Sequence, residues 1–414
     1  MSVSMKIAMV ALSANPLPLP GGGEPSSQSL QIAALSRELA GCGHEVTVYA
    51  RQDDPLAPRR LPLAAGVEVH HIAAGVPAPV AADDLIPLIA DFSAGLAAEF
   101  AADTPDVLHA HYWMSGLAAL QATRDRSVPM VQTFHSLGTV RRRSERPGDP
   151  SSTQRIRLEA VIGRAAARVV ASCEDESRHL RRMGISYQRI SVVPPGIDLD
   201  RFHPAAFDLE PSKAPRLLAV GPLTEDGGVA DQVRAMANLP GARLTVAGGP
   251  APAGLADDPD ARRLGELAER LGVTHQVRLV GKLSRDEVAD LMRAVDLFLC
   301  TPWTPTFGTV ALEAMASGVP VIATAVGGLH DTVIPGITGE LVPPRAPEEL
   351  VLAIRRLFHD PVRLQAYRFA AADRARSAFS WHRAGVSTES IYRRILGIPD
   401  SPVEPIEPTV QVAS

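Results

Sequence analysis

Short apolar runs alternate with helical patterns along almost the whole chain. Most of the runs, such as Val107–His111 and Leu297–Cys300, are continuously apolar rather than alternately apolar and polar. Strands that are buried on both faces of a parallel sheet have this composition. Between them lie helical patterns, and Ser284 with Glu287 three residues later is typical of a capping box. The alternation predicts βαβ units and an α/β fold.

The predicted strands fall into two series on either side of a Pro-rich segment. The first series is Lys6–Ser13, Glu45–Ala50, Val67–Ile72, Val107–His111, Met130–Phe134, Arg168–Ser172 and Ile190–Val193. The second is Arg216–Val220, Arg243–Ala247, Gln276–Val280, Leu297–Cys300, Val319–Ala323 and Gly339–Val342. We interpret residues 196–212 as an interdomain linker. The pattern predicts two doubly wound domains, 1–200 and 212–379, with ligands in the cleft between them. The Pro-rich tail 399–414 is expected to be disordered.

Composition and charge exclude several classes of protein. The 414 residues carry a net charge of −5, which gives no reason to expect a nucleic-acid binder. Charged residues or Gly interrupt every apolar run, so we expect no transmembrane segment. The N-terminus lacks the features of a signal peptide, which predicts a cytoplasmic protein. Cys42, Cys173 and Cys300 are too far apart to indicate a disulfide framework or a metal site.

Three glycines follow the first predicted strand and precede a helix that begins near Ser26 or Ser27. Gly21, Gly22 and Gly23 would let backbone N–H groups approach an anion at the helix N-terminus. A flexible turn explains the same glycines equally well.

Polar side chains end two neighbouring strands of the first series. His109 and His111 occupy alternate positions of one strand and therefore point to the same face. A core histidine with satisfied hydrogen bonds is the simpler explanation for His109 than for His111. Thr133, His135 and Ser136 end the next strand. Because carboxyl ends of parallel strands carry the functional groups of such domains, both sets are candidate site residues.

A run of basic residues follows. Its members are Arg141, Arg142, Arg143 and Arg146. A solvated loop is the simpler account of Arg142 and Arg146. Arg155 precedes Glu159 by four residues on one helical face, so it either holds an anion or pairs with that carboxylate.

The second half contains a helix start that suits a nucleotide. The N–H groups of Gly308, Thr309 and Val310 would lie at a helix N-terminus, which favours a diphosphate. Glu313, one turn further on, would accept hydrogen bonds from a ribose diol. A surface carboxylate is the alternative, but an acidic residue is unusual within the packed stretch ALEAMASG.

Several motifs, taken in order, resemble a known family. They are GGG, HAHYW, QTFH, VVPPGIDLDRF, VGPL, VAGGP, FGTVALEAMASGVPVIAT and AVGGLHDTVIPGITGELV. This series, over residues 5–397, resembles the retaining family 4 glycosyltransferases and, within them, the actinobacterial mycothiol-type enzymes. The resemblance implies the GT-B fold, with two Rossmann-like domains that face each other across a cleft. The nucleotide-sugar site would lie on the C-terminal domain and the acceptor site on the N-terminal one. A last helix, 380–397, would cross back to the N-terminal domain.

The resemblance also implies roles for individual residues. His111 would lie beside the transferred sugar as the catalytic residue. The donor-binding residues would be Gly22, Gly23, Gly221, Lys282, Leu283, Gly308, Thr309, Val310 and Glu313. The acceptor-binding residues would be His135, Ser136, Arg141 and Arg155. The partners would be a nucleotide sugar and a small acceptor, with no cofactor and no metal, and the oligomeric state, a homodimer included, stays open.

Three departures from the family pattern fall on the donor site. Pro222 and Gly227 stand where the family has an Arg and a Lys that neutralise the diphosphate, and Pro305 replaces the first Glu of a Glu-x7-Glu signature. Loss of one such positioned charge typically slows a reaction about 10²–10³-fold. Candidate replacements are Arg216, Arg234, Lys282 and Arg285.

The hypothesis from the sequence is a glycosyltransferase that moves a sugar from a GDP or UDP sugar to a small acceptor. Only three of the 41 basic residues are Lys, a bias typical of a high-GC actinobacterial genome, and the altered donor site favours specialised antibiotic metabolism. One alternative is an S-glycosyltransferase that joins an unusual sugar to a small thiol, as in lincosamide assembly. Another is a non-catalytic GT-B binding or partner protein. Whether the anomeric configuration is retained or inverted stays open.

Overall fold

The computed structural model describes residues 3–17, 26–141, 150–205 and 214–399. The chain folds into two predominantly parallel sheets, each covered by helices. This architecture confirms the predicted α/β class. Several predicted features lie outside the described residues. They are Gly21, Gly22, Gly23, Arg142, Arg143, Arg146, the linker part 206–213 and the tail 400–414.

The first sheet has eight strands in the order β3-β4-β2-β1-β5-β6-β7-β8. They are β1 (Lys6–Ala11), β2 (Glu45–Arg51), β3 (Arg60–Ala64), β4 (Val67–Ile72), β5 (Val107–His111), β6 (Met130–Thr133), β7 (Arg168–Ala171) and β8 (Ile190–Val192). The helices of this half are α1 (Ser27–Gly41), α2 (Ile89–Ala102), α3 (Trp113–Ala122), α4 (Gly138–Arg141), α5 (Pro150–Ala165) and α6 (Glu174–Arg182).

The second sheet has six strands in the order β11-β10-β9-β12-β13-β14. They are β9 (Arg216–Val220), β10 (Arg243–Ala247), β11 (Val277–Gly281), β12 (Leu297–Cys300), β13 (Val321–Thr324) and β14 (Gly339–Val342). Its helices are α7 (Val229–Met236), α8 (Pro259–Arg270), α9 (Arg285–Arg293), α10 (Thr309–Ala316), α11 (Leu329–Thr332), α12 (Pro347–Phe358) and α13 (Pro361–Ala378). The predicted capping box of α9 is present, with Ser284 and Glu287 bonded reciprocally.

The sequence reading missed strand β3. This strand pairs antiparallel with β4 at the edge of the sheet and contains Pro62. None of its residues is fully buried, so it lacks the continuous apolar run that identified the others. Edge strands tolerate Pro because one side of their backbone needs no ladder hydrogen bond.

One helical stretch contradicts the expectation that no apolar run is long enough to span a bilayer. Residues Asp84–Ala102 pass that test by length and composition. In the structure, Phe92, Leu96 and Phe100 of this stretch are fully buried in the core of the first half. Its apolar face therefore packs against protein.

The chain crosses between the two halves at two points that touch each other. The Ile197 N–H donates to the Phe379 carbonyl at 2.8 Å, and Ile197 forms a bridge with Ser380. Gly196 lies directly against the backbone of Trp381, so that a Cβ there would be 2.5 Å from the Trp381 nitrogen. The close approach of these segments requires a residue without a side chain at position 196.

After the second crossing, α14 (Trp381–Leu396) returns to the first half of the chain. Gly385 lies against Glu38 of α1, and Tyr392 is fully buried in the core around β1 and β2. The Tyr392 hydroxyl is 2.6 Å from His109 Nδ1. A helix that follows the second sheet thus supplies part of the core of the first.

Replacement of Gly196 tests this crossing. We expect Gly196→Ala to lower the free energy of unfolding by about 1–3 kcal/mol, because the added methyl group overlaps the Trp381 backbone. Urea denaturation followed by circular dichroism measures the change. Gly265→Ala in α8 is the matched control, because its Cβ would meet no atom and Ala favours a helix. Equal stability of the two variants would contradict the tight crossing.

Candidate functional site

Two adjoining cavities lie at the cleft between the sheets. The first, here called the histidine cavity, has a volume of about 320 Å³ and is lined by His109, His111 and His135. The second, the arginine cavity, has about 410 Å³ and is lined by Arg285 and Glu313. Three residues line both cavities, namely Ser27, Gln31 and Trp381. Ligands in the two cavities would therefore be neighbours.

The histidine cavity is built at the carboxyl ends of β5 and β6. His109 is bonded at Nδ1 to Tyr392 and at Nε2 to Thr133 Oγ1, at 2.6 and 2.8 Å. The rings of His109 and His111 stack with centroids 4.3 Å apart, as expected for alternate positions of one strand. His111 Nδ1 lies 3.0 Å from His135 Nε2. Side chains from two strands and from α14 thus form one connected cluster.

The two histidines of β5 are both buried, with exposures of 1% for His109 and 2% for His111. The simple explanation of His109 as a core histidine with satisfied bonds agrees with its two hydroxyl partners. His111 differs from expectation, because its Nε2 faces the Met9 sulfur at 3.4 Å while its Nδ1 faces His135. His135 is only half-buried, and its φ of 59° turns the chain at the end of β6. Of this pair, His135 is the more accessible ring.

Burial keeps the imidazoles neutral. It lowers the pKa of His109 to about 3 and that of His135 to about 4. It also lowers the pKa of His111 well below its ordinary value, and the two neighbouring imidazoles add to this effect. Buried groups favour their uncharged form because low polarity penalises charge.

The structure shows which partner Arg155 has, a question that its spacing from Glu159 left open. Its Nε donates to Glu159 at 2.7 Å, and its terminal nitrogen donates to the Ser136 carbonyl and hydroxyl at 2.8 and 3.0 Å. The Glu159 side chain is completely buried and also accepts from the Gly138 N–H. Arg155 therefore pairs with Glu159 and holds the predicted acceptor residue Ser136 in place. Arg141 is the last residue of α4.

Glu313 and Arg285 form an ion pair in the arginine cavity. Arg285 donates to Glu313 Oε1 at 2.7 Å, and the guanidinium lies over the Phe202 ring. The Glu313 side chain is 5% exposed, which excludes the surface carboxylate considered as an alternative. Burial raises the pKa of Glu313, and Arg285 opposes that rise. Thr309 and Arg201 line the same cavity.

The N-terminus of α10 has no side-chain cap among the described residues. Gly308 adopts φ 81° as the N-cap, and its Cα packs against Leu329. Thr309 lines the arginine cavity, whereas Val310 packs on the core. The uncapped N–H groups and the Glu313 carboxylate lie on successive turns of one helix.

The other predicted donor residues lie on loops at the carboxyl ends of the second sheet. The Gly221 N–H donates to the Ala247 carbonyl at 3.0 Å, and the Lys282 N–H donates to Pro250 at 2.8 Å. Lys282 is exposed, and Leu283 packs partly on the core beside α10. These residues surround the same sheet edge but do not line either of the two cavities.

The loop from Pro222 to Gly228 explains two of the departures from the family pattern. A Cβ at Gly227 would overlap the Pro222 carbonyl oxygen. Gly228 adopts φ 75°, with its Cα against the Thr301 carbonyl. Trp303 closes this turn by donating its N–H to the Asp226 carbonyl at 2.8 Å. A Lys side chain at position 227 does not fit this turn, so the family's cation is excluded by the backbone.

The four basic residues that could replace the family's missing Arg and Lys lie in different parts of the second half. Arg216 begins β9, at the opposite edge of the sheet from the cleft, and pairs with Asp296. Arg234 ends α7 and pairs with Asp231. Among these four, Arg285 alone lines the cavity that contains Glu313.

Sequence reasoning missed several residues that shape the two cavities. Phe307 reaches the histidine cavity from the second half of the chain, and Trp381 and Tyr392 come from α14. Their apolar character gave no chemical signal, and their positions depend on contacts between distant segments. For Trp381, a large aromatic residue immediately after an N-cap Ser380 was the available signal.

The neutral histidines predict a marked loss of stability in acid. Below their ordinary pKa of 6.5, the unfolded chain takes up protons that the folded chain cannot. The free energy of unfolding therefore falls as the pH drops below 6.5, by up to about 1.4 kcal/mol per pH unit for each group.

Urea denaturation between pH 7.5 and pH 5 measures this dependence. We expect His109→Asn to be less stable at pH 7.5 but to have a shallower pH dependence than the parent. His382→Asn, at an exposed position in α14, is the control and should leave the slope unchanged. If His109→Asn kept the pH dependence of the parent protein, the assignment of His109 as a neutral buried group would be contradicted.

Comparison with known proteins agrees with this geometry. The model of glycosyltransferase family 4 matches residues 28–201, and that of the group 1 glycosyl transferases matches residues 205–376. D-inositol 3-phosphate glycosyltransferase 1 of Catenulispora acidiphila is 35% identical over 95% of this chain and 96% of its own. The D-inositol 3-phosphate glycosyltransferase of Streptomyces bingchenggensis is 33% identical over 94% and 89%.

Solved structures share the fold over nearly the full length. A sucrose-phosphate synthase from Thermosynechococcus elongatus superposes with a TM-score of 0.81 at 28% identity, covering 95% of this chain and 99% of the other. Anabaena Alr3699/HepE in complex with UDP and glucose has a TM-score of 0.71 at 20% identity, covering 94% and 100%. These matches confirm the resemblance and the GT-B fold that the motifs predicted. The chain belongs to the glycosyltransferase family 4 group of GT-B enzymes, and it is a glycosyltransferase.

Proposed function

We propose that this glycosyltransferase moves a sugar from a GDP or UDP sugar to a small-molecule acceptor in the cytoplasm. The observation that carries the proposal is the junction of the two cavities at Ser27, Gln31 and Trp381. One cavity offers groups suited to a nucleotide, and the other offers neutral polar groups suited to an acceptor. A donor and an acceptor bound there would meet between the domains, which converts their encounter into an oriented reaction.

Each part of the nucleotide sugar would contact different protein groups. The N–H groups at the start of α10 would hold the diphosphate, and Glu313 would accept hydrogen bonds from the ribose. The base would lie near Lys282 and Leu283, against the loop after β11. Arg285 would take the place of the missing cations, because its guanidinium binds Glu313 at 2.7 Å in the cavity that Thr309 of α10 also lines.

The histidine cluster would act on the sugar and the acceptor. His135 is the more exposed ring and carries a bond to His111, which is held in turn by its stack on His109. His111 therefore orients His135, and His135 would contact the substrates. This arrangement modifies the prediction that His111 itself reaches the sugar.

The altered donor loop favours a role in specialised, antibiotic-type metabolism. Pro222 and Gly227 lie on one turn, which Trp303, two residues before Pro305, closes through its backbone. An S-glycosyltransferase that uses an unusual sugar and a small thiol is the second candidate, since a thiolate attacks with less help from a base. The full-length match to named glycosyltransferases leaves the non-catalytic alternative without support.

A nucleotide screen followed by donor turnover tests the proposal. Isothermal titration with UDP, GDP and ADP identifies the base, and release of the nucleotide from the matching sugar donor measures catalysis. We expect binding of UDP or GDP and turnover that depends on an added acceptor. Failure to bind any of the three nucleotides would overturn the proposal.

The Arg285–Glu313 ion pair of the arginine cavity gives a more specific prediction. We expect Glu313→Ala to weaken binding of the nucleoside diphosphate by roughly 1–3 kcal/mol, because the ribose diol loses its acceptor. The loss should be the same for the nucleoside without phosphates. Arg285→Ala should weaken the diphosphate more than the nucleoside, because the guanidinium acts on the phosphate charge in addition to its pairing with Glu313.

Titration calorimetry of UDP against uridine, or GDP against guanosine, measures both variants. Arg234→Ala is the matched control, since that arginine forms a similar ion pair outside the cavity. Equal losses for the diphosphate and the nucleoside in Arg285→Ala would remove this residue from the phosphate site.

A further inference from the structure

A hydrogen bond joins the two halves of the chain across the cleft. The Glu174 N–H, at the first residue of α6, donates to Asp331 Oδ2 at 2.8 Å. Helix α6 follows β7 of the first sheet, whereas Asp331 lies in α11, which follows β13 of the second. Ser172, two residues before Glu174, lines the histidine cavity. The contact therefore lies beside that cavity.

Asp331 completes the cap of α6 from the other half of the chain. The first N–H groups of a helix have no partner within it. Cys173 Sγ accepts from the Glu176 N–H at 3.4 Å, and Asp331 accepts from the Glu174 N–H. The helix dipole also favours a carboxylate at this end. Because Glu174 is exposed, water can replace the carboxylate when the halves move apart, so the bond is reversible.

The backbone of Asp331 is held by contacts that lead to the interdomain crossing. Arg374 of α13 donates to the carbonyls of Asp331 and Thr332 at 2.6 and 3.0 Å. The same guanidinium lies 5.3 Å from the centroid of the Phe379 ring. The Phe379 carbonyl in turn accepts the hydrogen bond from Ile197 at the crossing. The Asp331 carboxylate is thus carried on a segment whose position is tied to that of the crossing.

The beginning of the same segment holds Phe307, which enters the histidine cavity from the second half. The Gly328 N–H donates to the Thr306 carbonyl at 2.8 Å, and a Cβ on Gly328 would lie 3.0 Å from the Phe307 Cα. Leu329 of α11 packs against Gly308, the N-cap of α10. Movement of α11 would therefore shift Phe307 and the start of α10 together.

Resting on the proposed function, we propose that Asp331 is a positioning residue for the transfer reaction. Its bond to the N-terminus of α6 holds the halves in the closed arrangement, in which Phe307 and α10 face the histidine cavity. Asp331 lines neither of the two cavities, so it acts through α11 and not on a substrate. Loss of the bond favours an open arrangement in which donor and acceptor are further apart.

Two substitutions remove this bond from opposite sides. Asp331→Ala removes the acceptor. Glu174→Pro removes the donor, because proline has no N–H, and proline is favoured at the first position of a helix. Cys173 already has the extended backbone that precedes a proline, with φ −157° and ψ 168°. Glu174→Gln is the matched control, since it keeps the N–H and removes only the charge.

Small-angle X-ray scattering of the unliganded full chain measures closure without a substrate. We expect a larger radius of gyration for Asp331→Ala and for Glu174→Pro than for the parent, and the parent's value for Glu174→Gln. The double variant should be no more open than either single variant, because both changes remove the same bond. The parent's radius of gyration in both single variants would contradict the proposal.

Turnover separates positioning from folding. In Asp331→Ala and Glu174→Pro we expect kcat for release of UDP or GDP from the sugar donor to fall roughly five- to tenfold, the effect of losing one helix cap. The Kd of the free nucleotide should keep its parent value, because the groups proposed to bind it lie on the second half. Asp331→Asn should recover most of the turnover, since its carboxamide oxygen still accepts the N–H. A loss of nucleotide binding as large as the loss of turnover would overturn the positioning role.

The outcomes separate this inference from the function itself. A protein whose variants scatter and turn over like the parent keeps its proposed function and loses only the role of Asp331. A parent protein that binds neither UDP nor GDP loses the proposed function, whereas the scattering of the unliganded variants still decides whether Asp331 holds the halves together.

Discussion

The close contact of the two interdomain crossings is the constraint on which the rest of the structure depends. Gly196 lets the linker lie against the backbone of Trp381, and the Ile197–Phe379 hydrogen bond fixes the two segments side by side. This contact sets where α14 starts, and therefore where Trp381 enters the cleft and where Tyr392 meets His109. Because both cavities share Trp381, the crossing also determines how they adjoin. A change in this one contact would alter the core of the first half and the site at the same time.

Charge is distributed unevenly around the cleft, and this difference separates the two sides chemically. In the arginine cavity, Arg285 and Glu313 line the space directly, so charged groups face its interior. Beside the histidine cavity, Arg155 is bound to a fully buried Glu159 and acts as a support for Ser136. The same pair of residue types therefore lines one cavity directly and supports the wall of the other.

The loop from Pro222 to Gly228 shows how the absence of the family's basic side chains is linked to backbone geometry. Pro222 and Gly227 are changes at two positions, but the turn brings the carbonyl of one against the Cα of the other. Trp303, held by Asp226 and Asp231, completes the same turn and carries Arg345 over its ring. Because these residues pack as a unit, restoration of a single Lys at position 227 would disturb the turn instead of returning the charge.

The sequence by itself determined the α/β class, nearly all strands and the family, because buried parallel strands and helix starts have local patterns of apolar and capping residues. It failed at β3, whose edge position left no buried run, and at Asp84–Ala102, where composition alone does not separate a core helix from a membrane span. Spacing placed Arg155 near Glu159 and Glu313 on a helix start, but it did not decide which charges are paired. The partners of Glu313, His111 and Ser136 come from segments 19 to 28 residues away, and Tyr392 reaches His109 over 283 residues. Only the tertiary structure decided these contacts, because burial and pairing depend on which distant segments share the same cavity wall.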